Sequence, residues 1–300
     1  MRPSTLLLAL PLATTHAINV VQSNDDGWAE INVREFYGHL TDAGFKSFIS
    51  APAENQSGTA SRDEEPSKVG RNGCEFHSCS PNSPPTGRNE SMPRFNYVNS
   101  FPVTSMRHGI KNLATEFCGG PPDIAVAGPN VGTNLGAVTQ FSGTVGASVE
   151  AAKLGLPAIA FSGSTGKQTA WNAKLEPYVS TYAALATNVT QVVTSGSKPY
   201  LPEGIWLNVN FPSIKDGCSS LSDFKFVLSR IWPAVPIISR DDVELCGSRR
   251  LPVERVVVGT KGCYASISVG NIDKTDAEAD AQAVVLTRLK PILSCLPEDD

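Results

Sequence analysis

The sequence predicts an α/β fold with a mostly parallel sheet and a β-rich C-terminal extension. First, apolar strand-like runs alternate with segments of helical periodicity, a pattern typical of βαβ units. Second, polar and glycine-rich segments follow several of these runs, as loops at the rim of a parallel sheet do. Third, short β-rich runs separated by Pro, Gly and Cys fill the last third of the chain. One domain over 18–300 is the simplest account.

The predicted elements follow in chain order. Strand-like runs lie at 18–23, 47–51, 123–127 and 157–161, and helical periodicity lies at 31–43, 102–117, 143–154 and 174–194. Residues 62–100 are rich in Pro, Ser, Asn, Gly and charge without a period, and we interpret them as a long surface excursion. The β-rich runs of the last third lie at 205–211, 224–228, 253–258 and 264–269. A capping-box pattern, Thr275-Asp276-Ala277-Glu278, predicts a final helix.

The N-terminal segment has the order of a secretory signal. Arg2, the apolar run Leu6 to Ala13 and Thr15-His16-Ala17 predict a signal peptide over 1–17. We therefore expect a secreted protein or one of the secretory-pathway or vacuolar lumen. No later apolar run reaches the roughly 20 residues that a membrane span needs, so we expect a soluble protein without a membrane partner. Loss of Arg2 leaves 24 basic against 29 acidic residues, a net charge of −5 that does not attract nucleic acid polymers.

Seven cysteines are consistent with an oxidising compartment. Their spacing does not form the paired Cys-x-x-Cys pattern of a zinc site. We predict that Cys74 and Cys79 close a short loop and that Cys118 is the unpaired thiol. The sequons that begin at Asn89 and Asn188 predict a glycoprotein.

Adjacent carboxylates follow the first predicted strand, in Asn24-Asp25-Asp26-Gly27. Two such charges repel by roughly 4 kcal/mol at 4 Å and an effective dielectric of 20, a cost that a bound cation removes. The alternative is a simple turn, since these residue types favour turns. We interpret Asp25 and Asp26 as the start of a metal site.

Two further segments are predicted to lie on the same rim. Ala51 to Gly58 follows the second strand, and Gly128 to Gly136 follows the third, before Ser142-Gly143-Thr144 at a helix start. Glycines around two asparagines let the backbone approach a ligand, and free amides at a helix start face an anion. The pattern is neither a dinucleotide fingerprint nor a Walker A loop.

All of these donors are oxygens, so a hard cation is expected: Mg²⁺ or Mn²⁺, with Ca²⁺ as a third candidate. Such a cation beside an anion cradle suits the hydrolysis of phosphate monoesters. A serine hydrolase that uses Ser142 or Ser162 is a second hypothesis, but the chain has no Gly-x-Ser-x-Gly elbow. A non-catalytic module that binds metal or ligand is a third.

The chain resembles the SurE (survival protein) phosphatase/nucleotidase family, and in particular its secreted fungal, acid-phosphatase-like members. The resemblance spans about 18 to 290. Its motifs are Ser23 to Gly27, Ala51-Pro52 with Asn55 to Gly58, Gly128-Pro129-Asn130 through Asn134-Leu135-Gly136, Phe141 to Val145, Gly155 to Ala158 and Leu207 to Pro212. Bacterial members differ at Trp28-Ala29-Glu30 and often carry Arg at the position of Gln56.

The resemblance implies a Rossmann-like three-layer core and hydrolysis of nucleoside monophosphates or broader monoesters, as a 5'/3'-nucleotidase or acid phosphatase. It also implies a homodimer or homotetramer joined through C-terminal β elements. The implied metal ligands are Asp25, Asp26, Ser57 and Asn130. The implied substrate-binding residues are Asn134, Ser142, Gly143 and Thr144. We expect Asp25, Asp26 and Asn134 to be catalytic, with water activated by the metal together with Asp25 or Asn134.

Overall fold

A computed structural model describes residues 17–214 and 217–297. The predicted leader, apart from Ala17, lies outside the described residues. The strands are β1 (Asn19–Ser23), β2 (Lys46–Pro52), β3 (Thr86–Arg88), β4 (Phe95–Val98), β5 (Ile124–Val131), β6 (Ala158–Gly163), β7 (Ile205–Phe211), β8 (Lys225–Ser229) and β9 (Tyr264–Asn271). The helices are α1 (Ile31–Asp42), α2 (Pro102–His108), α3 (Ala114–Cys118), α4 (Gly143–Lys153), α5 (Pro177–Thr194), α6 (Glu254–Gly259) and α7 (Ala279–Leu289).

The strands form one sheet in the order β3-β4-β2-β1-β5-β6-β7-β9-β8. The six strands from β4 to β7 in this order are mutually parallel. At the two edges, β3 runs antiparallel to β4, and β9 runs antiparallel to β7 with β8 parallel to β9. The carboxyl ends of β1, β2 and β5 therefore meet on one rim, which confirms the predicted α/β fold with a mostly parallel sheet.

Helices cover both faces of the sheet. Successive side chains of a strand point to opposite faces, so Val20 belongs to one core and Val21 to the other. Helices α1 and α5 pack together on the Val20 face, and α2 and α4 pack together on the Val21 face. Burial on both faces explains why the central strands read as continuous apolar runs.

The interpretation of 62–100 as a surface excursion is wrong for its second half. That half supplies β3 and β4, and β4 pairs with the outer edge of β2. Phe95 and Tyr97 of β4 are buried, and the Tyr97 ring lies 5.2 Å from the ring of Trp28. Short strands held by aromatic packing lack the longer alternation that sequence patterns detect.

Two predictions for the last third are also wrong. Residues 253–258, a β-branched run, form most of helix α6 rather than a strand, because packing against β9 overrides their strand propensity. The predicted final helix is confirmed as α7, but the capping box at 275–278 does not form, since α7 begins at Ala279 with no side-chain hydrogen bond to its cap from the described residues. The Asp276 carboxylate instead accepts hydrogen bonds from the amides of Ile231 and Trp232, at 2.6 and 3.1 Å.

The helix predicted over 102–117 and the strand predicted over 123–127 differ from the structure in extent. A wider turn at Gly109–Leu113 separates α2 from α3. Strand β5 continues to Val131, so it carries part of the predicted glycine-rich loop into the sheet.

Three disulfides cross-link the described residues. The predicted Cys74–Cys79 bridge is confirmed, and Cys118 is the free, half-buried thiol. Cys218–Cys263 and Cys246–Cys295, which the sequence left unassigned, tie the C-terminal region together. Such cross-links are typical of proteins that pass through an oxidising compartment. Within the described ranges, no helix has the length and apolar character of a membrane span.

Removing the Cys246–Cys295 bridge by a double substitution to Ser is expected to destabilise the protein more than removing Cys74–Cys79. The two bridges span sequence separations of 49 and 5 residues. In the chain-entropy description, loops of these sizes contribute about 4 and about 2 kcal/mol. Urea unfolding of both variants under non-reducing conditions measures the difference. An equal or larger loss for the short loop would contradict this ranking.

Candidate active site

The loop after β1 carries the two predicted carboxylates and is closed by its own side chains. The side-chain oxygen of Asn24 accepts a hydrogen bond from the backbone amide of Gly27 at 3.1 Å. The side-chain nitrogen of Asn24 donates to the Gly27 carbonyl at 3.0 Å. Gly27 has a φ of +106°, and a Cβ there would lie 1.8 Å from Oε1 of Glu75. The positive φ favours glycine at this turn, and any side chain here would also have to displace the Glu75 carboxylate.

The Asp25 side chain lies at the N-terminus of α4. There it accepts hydrogen bonds from the amides that the sequence predicts would face a bound anion. Its Oδ2 accepts from the amides of Gly143 and Thr144, both at 3.1 Å. Its Oδ1 accepts from the Thr144 hydroxyl at 2.6 Å. A helix N-terminus stabilises negative charge, so α4 holds Asp25 in place and offsets part of its burial. These amides therefore contact a carboxylate of the chain itself.

Ser142 directly precedes α4, at the helix start that the sequence predicts. Its hydroxyl accepts from the amide of Val145 at 3.1 Å, which makes it the N-cap. The side chain is thus buried at the base of the site, next to the groups that hold Asp25.

Asp26 connects β1 to the end of β5. Its Oδ2 accepts from the amide of Val131 at 2.8 Å. Its Oδ1 accepts no hydrogen bond from the described residues, although the residue is 2% exposed. One oxygen of this carboxylate thus remains available for a ligand.

The loop after β2 lies beside Asp25. The Gln56 amide donates to the Asp25 carbonyl at 2.7 Å, and the Ala60 amide donates to the Phe141 carbonyl at 2.9 Å. These two bonds hold the segment between them, which includes the exposed Ser57, against the same rim.

The two asparagines of the glycine-rich loop are oriented differently. The Asn130 amide nitrogen donates to the carbonyls of Val131 and Gly132, at 3.2 and 2.6 Å, which leaves its oxygen without a hydrogen bond from the described residues. The Asn134 amide nitrogen donates to the Ser162 hydroxyl at 2.8 Å. An amide whose nitrogen is bound within its own loop presents its oxygen to a ligand.

The electrostatics of the site are dominated by buried carboxylates. Burial raises the pKa of Asp25, and it raises the pKa of Asp26 further because Asp25 and Glu30 add repulsion. Burial raises the pKa of Glu30 to about 8, and burial with the charge of Asp26 raises the pKa of Glu75 to about 8. Over 17–214 and 217–297, none of the four forms an ion pair with Lys or Arg. Each of these carboxyl groups is therefore stabilised either by a proton or by positive charge placed nearby.

Sequence reasoning missed Glu30, Glu75 and Gln168. The Gln168 amide nitrogen donates to the Asp26 carbonyl at 2.5 Å and to Glu75 at 3.2 Å, and its oxygen accepts from Asn55. Glu75, Gln168 and Asn55 border a cavity of about 600 Å³. Glu75 comes from the excursion and Gln168 from a loop after β6, so no local motif connects them to Asp26.

The histidine arrangement does not support a serine hydrolase. His39 lies within 3.1 Å of the Ser180 hydroxyl, on helices α1 and α5. The Ser142 hydroxyl caps α4, and the Ser162 hydroxyl accepts from Asn134. Across the described residues, no histidine hydrogen-bonds to Ser142 or Ser162.

Comparison with known proteins gives the class and the family. A family model described as Survival protein SurE matches residues 20–230. An acid phosphatase of Yarrowia lipolytica is 31% identical over 284 residues, covering 85% of this chain and 79% of the relative. A 5'-nucleotidase SurE of Lawsonia intracellularis is 30% identical over 199 residues, covering 66% of this chain and 67% of the relative. The crystal structure of the SurE protein from Aquifex aeolicus shares the fold, with a TM-score of 0.60 and 19% identity over 86% of this chain and 94% of that chain.

These relationships make the chain a phosphomonoester hydrolase by class. It belongs to the SurE family, as its motifs predict.

Gly143→Ala is expected to reduce activity by displacing Asp25. A Cβ at this position would lie 2.8 Å from the Asp25 Cβ and 2.9 Å from Pro102 Cγ. The matched control is Gly38→Ala on α1, where a Cβ meets nothing within 4 Å. Turnover of p-nitrophenyl phosphate by both folded variants is the measurement, with loss in the first and retention in the second. Full activity of Gly143→Ala would show that the approach of Asp25 to α4 does not matter.

Proposed function

We propose that this chain is a secreted, divalent-cation-dependent phosphomonoesterase that acts on nucleoside monophosphates or broader phosphate monoesters. Family membership supplies the class of reaction. The dependence on a cation, the roles of individual residues and the secreted location are the proposal. The predicted leader and three disulfides support passage through the secretory pathway.

The observation that carries the proposal is the pair Asp25 and Asp26 within a cluster of four buried or half-buried carboxylates, none of which forms an ion pair with Lys or Arg over 17–214 and 217–297. The donor set around the pair fits a hard divalent cation, because Asp26 Oδ1 and the Asn130 side-chain oxygen accept no hydrogen bond from residues 17–214 and 217–297. Ser57 lies on the loop held beside them. Asp25, Asp26, Ser57 and Asn130 are the proposed ligands. Mg²⁺ and Mn²⁺ are the candidates that we favour, with Ca²⁺ as the third.

A divalent cation bound there supplies positive charge against the phosphoryl oxygens and acidifies water for attack. The chain itself orients the groups around it. Helix α4 fixes Asp25 through two amides and a hydroxyl, which positions that carboxylate to hold or accept a proton from an attacking water. Asn134, Ser142, Gly143 and Thr144 are the proposed phosphate-site residues, as the resemblance implies. Because the Gly143 and Thr144 amides hold Asp25 and the Ser142 hydroxyl caps α4, these three residues act mainly by placing Asp25 beside the phosphate. The Asn134 amide is already oriented by Ser162.

Chelation tests the cation dependence. Treatment of the secreted protein with EDTA is expected to abolish hydrolysis of p-nitrophenyl phosphate and AMP, and added Mg²⁺ or Mn²⁺ is expected to restore it. Chelator-insensitive turnover would contradict a catalytic cation. Cation binding without turnover of any phosphate ester would instead favour a non-catalytic module.

Asp26→Asn is expected to lower kcat by about 10² or more, the scale on which loss of one electrostatic group of an active site acts. Stability should not fall, because the substitution removes one charge from a repulsive cluster and retains an oxygen for the Val131 amide. Asp273→Asn, at an exposed turn, is the matched control and should behave as the wild type. Phosphatase assays and urea unfolding measure both properties. Unchanged activity of Asp26→Asn would remove this residue from the mechanism.

A further inference from the structure

The loop that carries Asn134, residues 131–136, is held from behind by strand β7. The backbone amide of Asn134 donates a hydrogen bond to the side-chain oxygen of Asn210 at 2.8 Å. The Asn134 carbonyl accepts from the side chains of Asn208 and Asn210, at 2.8 and 3.2 Å. Residues two apart on a strand share one face, so both asparagines point at the same loop.

Glu254, the first residue of α6, anchors this arrangement. Its Oε1 accepts from the amide of Gly136 at 2.6 Å, and its Oε2 accepts from Asn208 and from the Ser268 hydroxyl, both at 2.9 Å. Glu254 is fully buried and forms no ion pair within the described ranges. A buried carboxylate is costly unless hydrogen bonds compensate it, and here three donors do so.

Two of these contacts lead directly to Asn134. Gly136 ends the Asn134 loop, and Asn208 donates both to Glu254 and to the Asn134 carbonyl. Glu254 and Ser268 lie beyond residue 230, where the match to the family model ends. The anchor therefore lies outside the segment that the family model matches.

We propose that Glu254 is a positioning residue that sets the geometry of Asn134 for turnover, through Gly136 and Asn208. This inference rests on the proposed function for its effect on catalysis, but the contacts on which it depends are independent of it.

The ionisation of Glu254 makes the position of the Asn134 loop depend on pH. Burial raises the pKa of Glu254 to about 7, with a smaller contribution from the charge of Asp276 and opposition from the three donors. Strands β7 and β9 present uncharged Asn208 and Ser268, and the nearby Arg230 is paired with Asp242 and Asp276.

A proton on Glu254 needs an acceptor. Neither the Gly136 amide nor the Asn208 amide nitrogen can accept, whereas the Ser268 hydroxyl can turn and donate to Ser229. Protonation of Glu254 thus removes the hydrogen bond from Ser268 and weakens those from Gly136 and Asn208. The side chain of Asn208 is then held less firmly.

The effects on stability and on turnover have opposite signs. Because the folded pKa exceeds the ordinary value of 4.5, the stability contribution of the neutral carboxyl is full below about 4.5 and is lost as pH rises toward about 7. The ionised form holds the loop, so its contribution to kcat is lost as pH falls through about 7. A carboxylate with a purely structural role would produce the first trend without the second.

Glu254→Gln is the test variant, and Val257→Ala is its matched control. Val257 is fully buried on the same helix and packs with Val227 and Tyr264, away from the Asn134 loop. We expect Glu254→Gln to lower kcat about tenfold with KM changed less than about threefold, while Val257→Ala keeps kcat within about twofold of wild type. The inflection of kcat near pH 7 should disappear in Glu254→Gln.

Hydrogen exchange of the Gly136 amide supplies a readout that does not depend on turnover. Its rate should rise about tenfold or more in Glu254→Gln and stay near the wild-type value in Val257→Ala. If kcat or the exchange rate of Glu254→Gln matches that of Val257→Ala, Glu254 is not a positioning residue. A wild-type protein inactive on every phosphomonoester would overturn the proposed function, and the exchange rates would still decide whether Glu254 holds the loop.

Discussion

The repulsion among buried carboxylates at the tip of β1 is the constraint on which the site depends. Asp25, Asp26, Glu30 and Glu75 all have raised pKa values, chiefly because burial disfavours their charge. Helix α4 partly compensates Asp25, but Asp26 has one backbone donor and Glu75 lies against Gly27. Folding such a cluster without positive charge requires protonation. A phosphomonoester hydrolase can use these uncompensated carboxylates to hold a cation at the place where an anionic substrate must bind.

The sheet turns this local chemistry into a site. Because β1, β2 and β5 are parallel neighbours, their carboxyl ends place the Asp25–Asp26 loop, the Ser57 loop and Asn130 on one rim. The other side of the rim is organised by β7, whose asparagines hold the backbone of Asn134. The β-rich C-terminal part of the chain thus supports the Asn134 loop, through β7 directly and through Glu254 and Ser268.

Sequence patterns predicted the parts of the fold and site that depend on local chemistry. The alternation of runs, the pair Asp25 and Asp26, and the helix start at Ser142-Gly143-Thr144 each follow from short segments. Glu75, Gln168 and Glu254 could not be found this way, because their significance arises from contacts between residues more than 90 positions apart in sequence. The helix over 253–258 was missed for the same reason, since tertiary packing outweighed β-branched propensity there. The extent of the domain, the leader and the residue roles remain predictions.

The most direct measurement is the urea stability of the metal-free protein at pH 8, with and without Mn²⁺ or Mg²⁺, for wild type and Asp26→Asn. If a cation relieves the carboxylate repulsion, it should raise the wild-type free energy of unfolding, by about 2.7 kcal/mol at one hundred times its Kd. The same cation concentration should stabilise Asp26→Asn much less. Equal stabilisation of both proteins, or none of the wild type, would contradict the account.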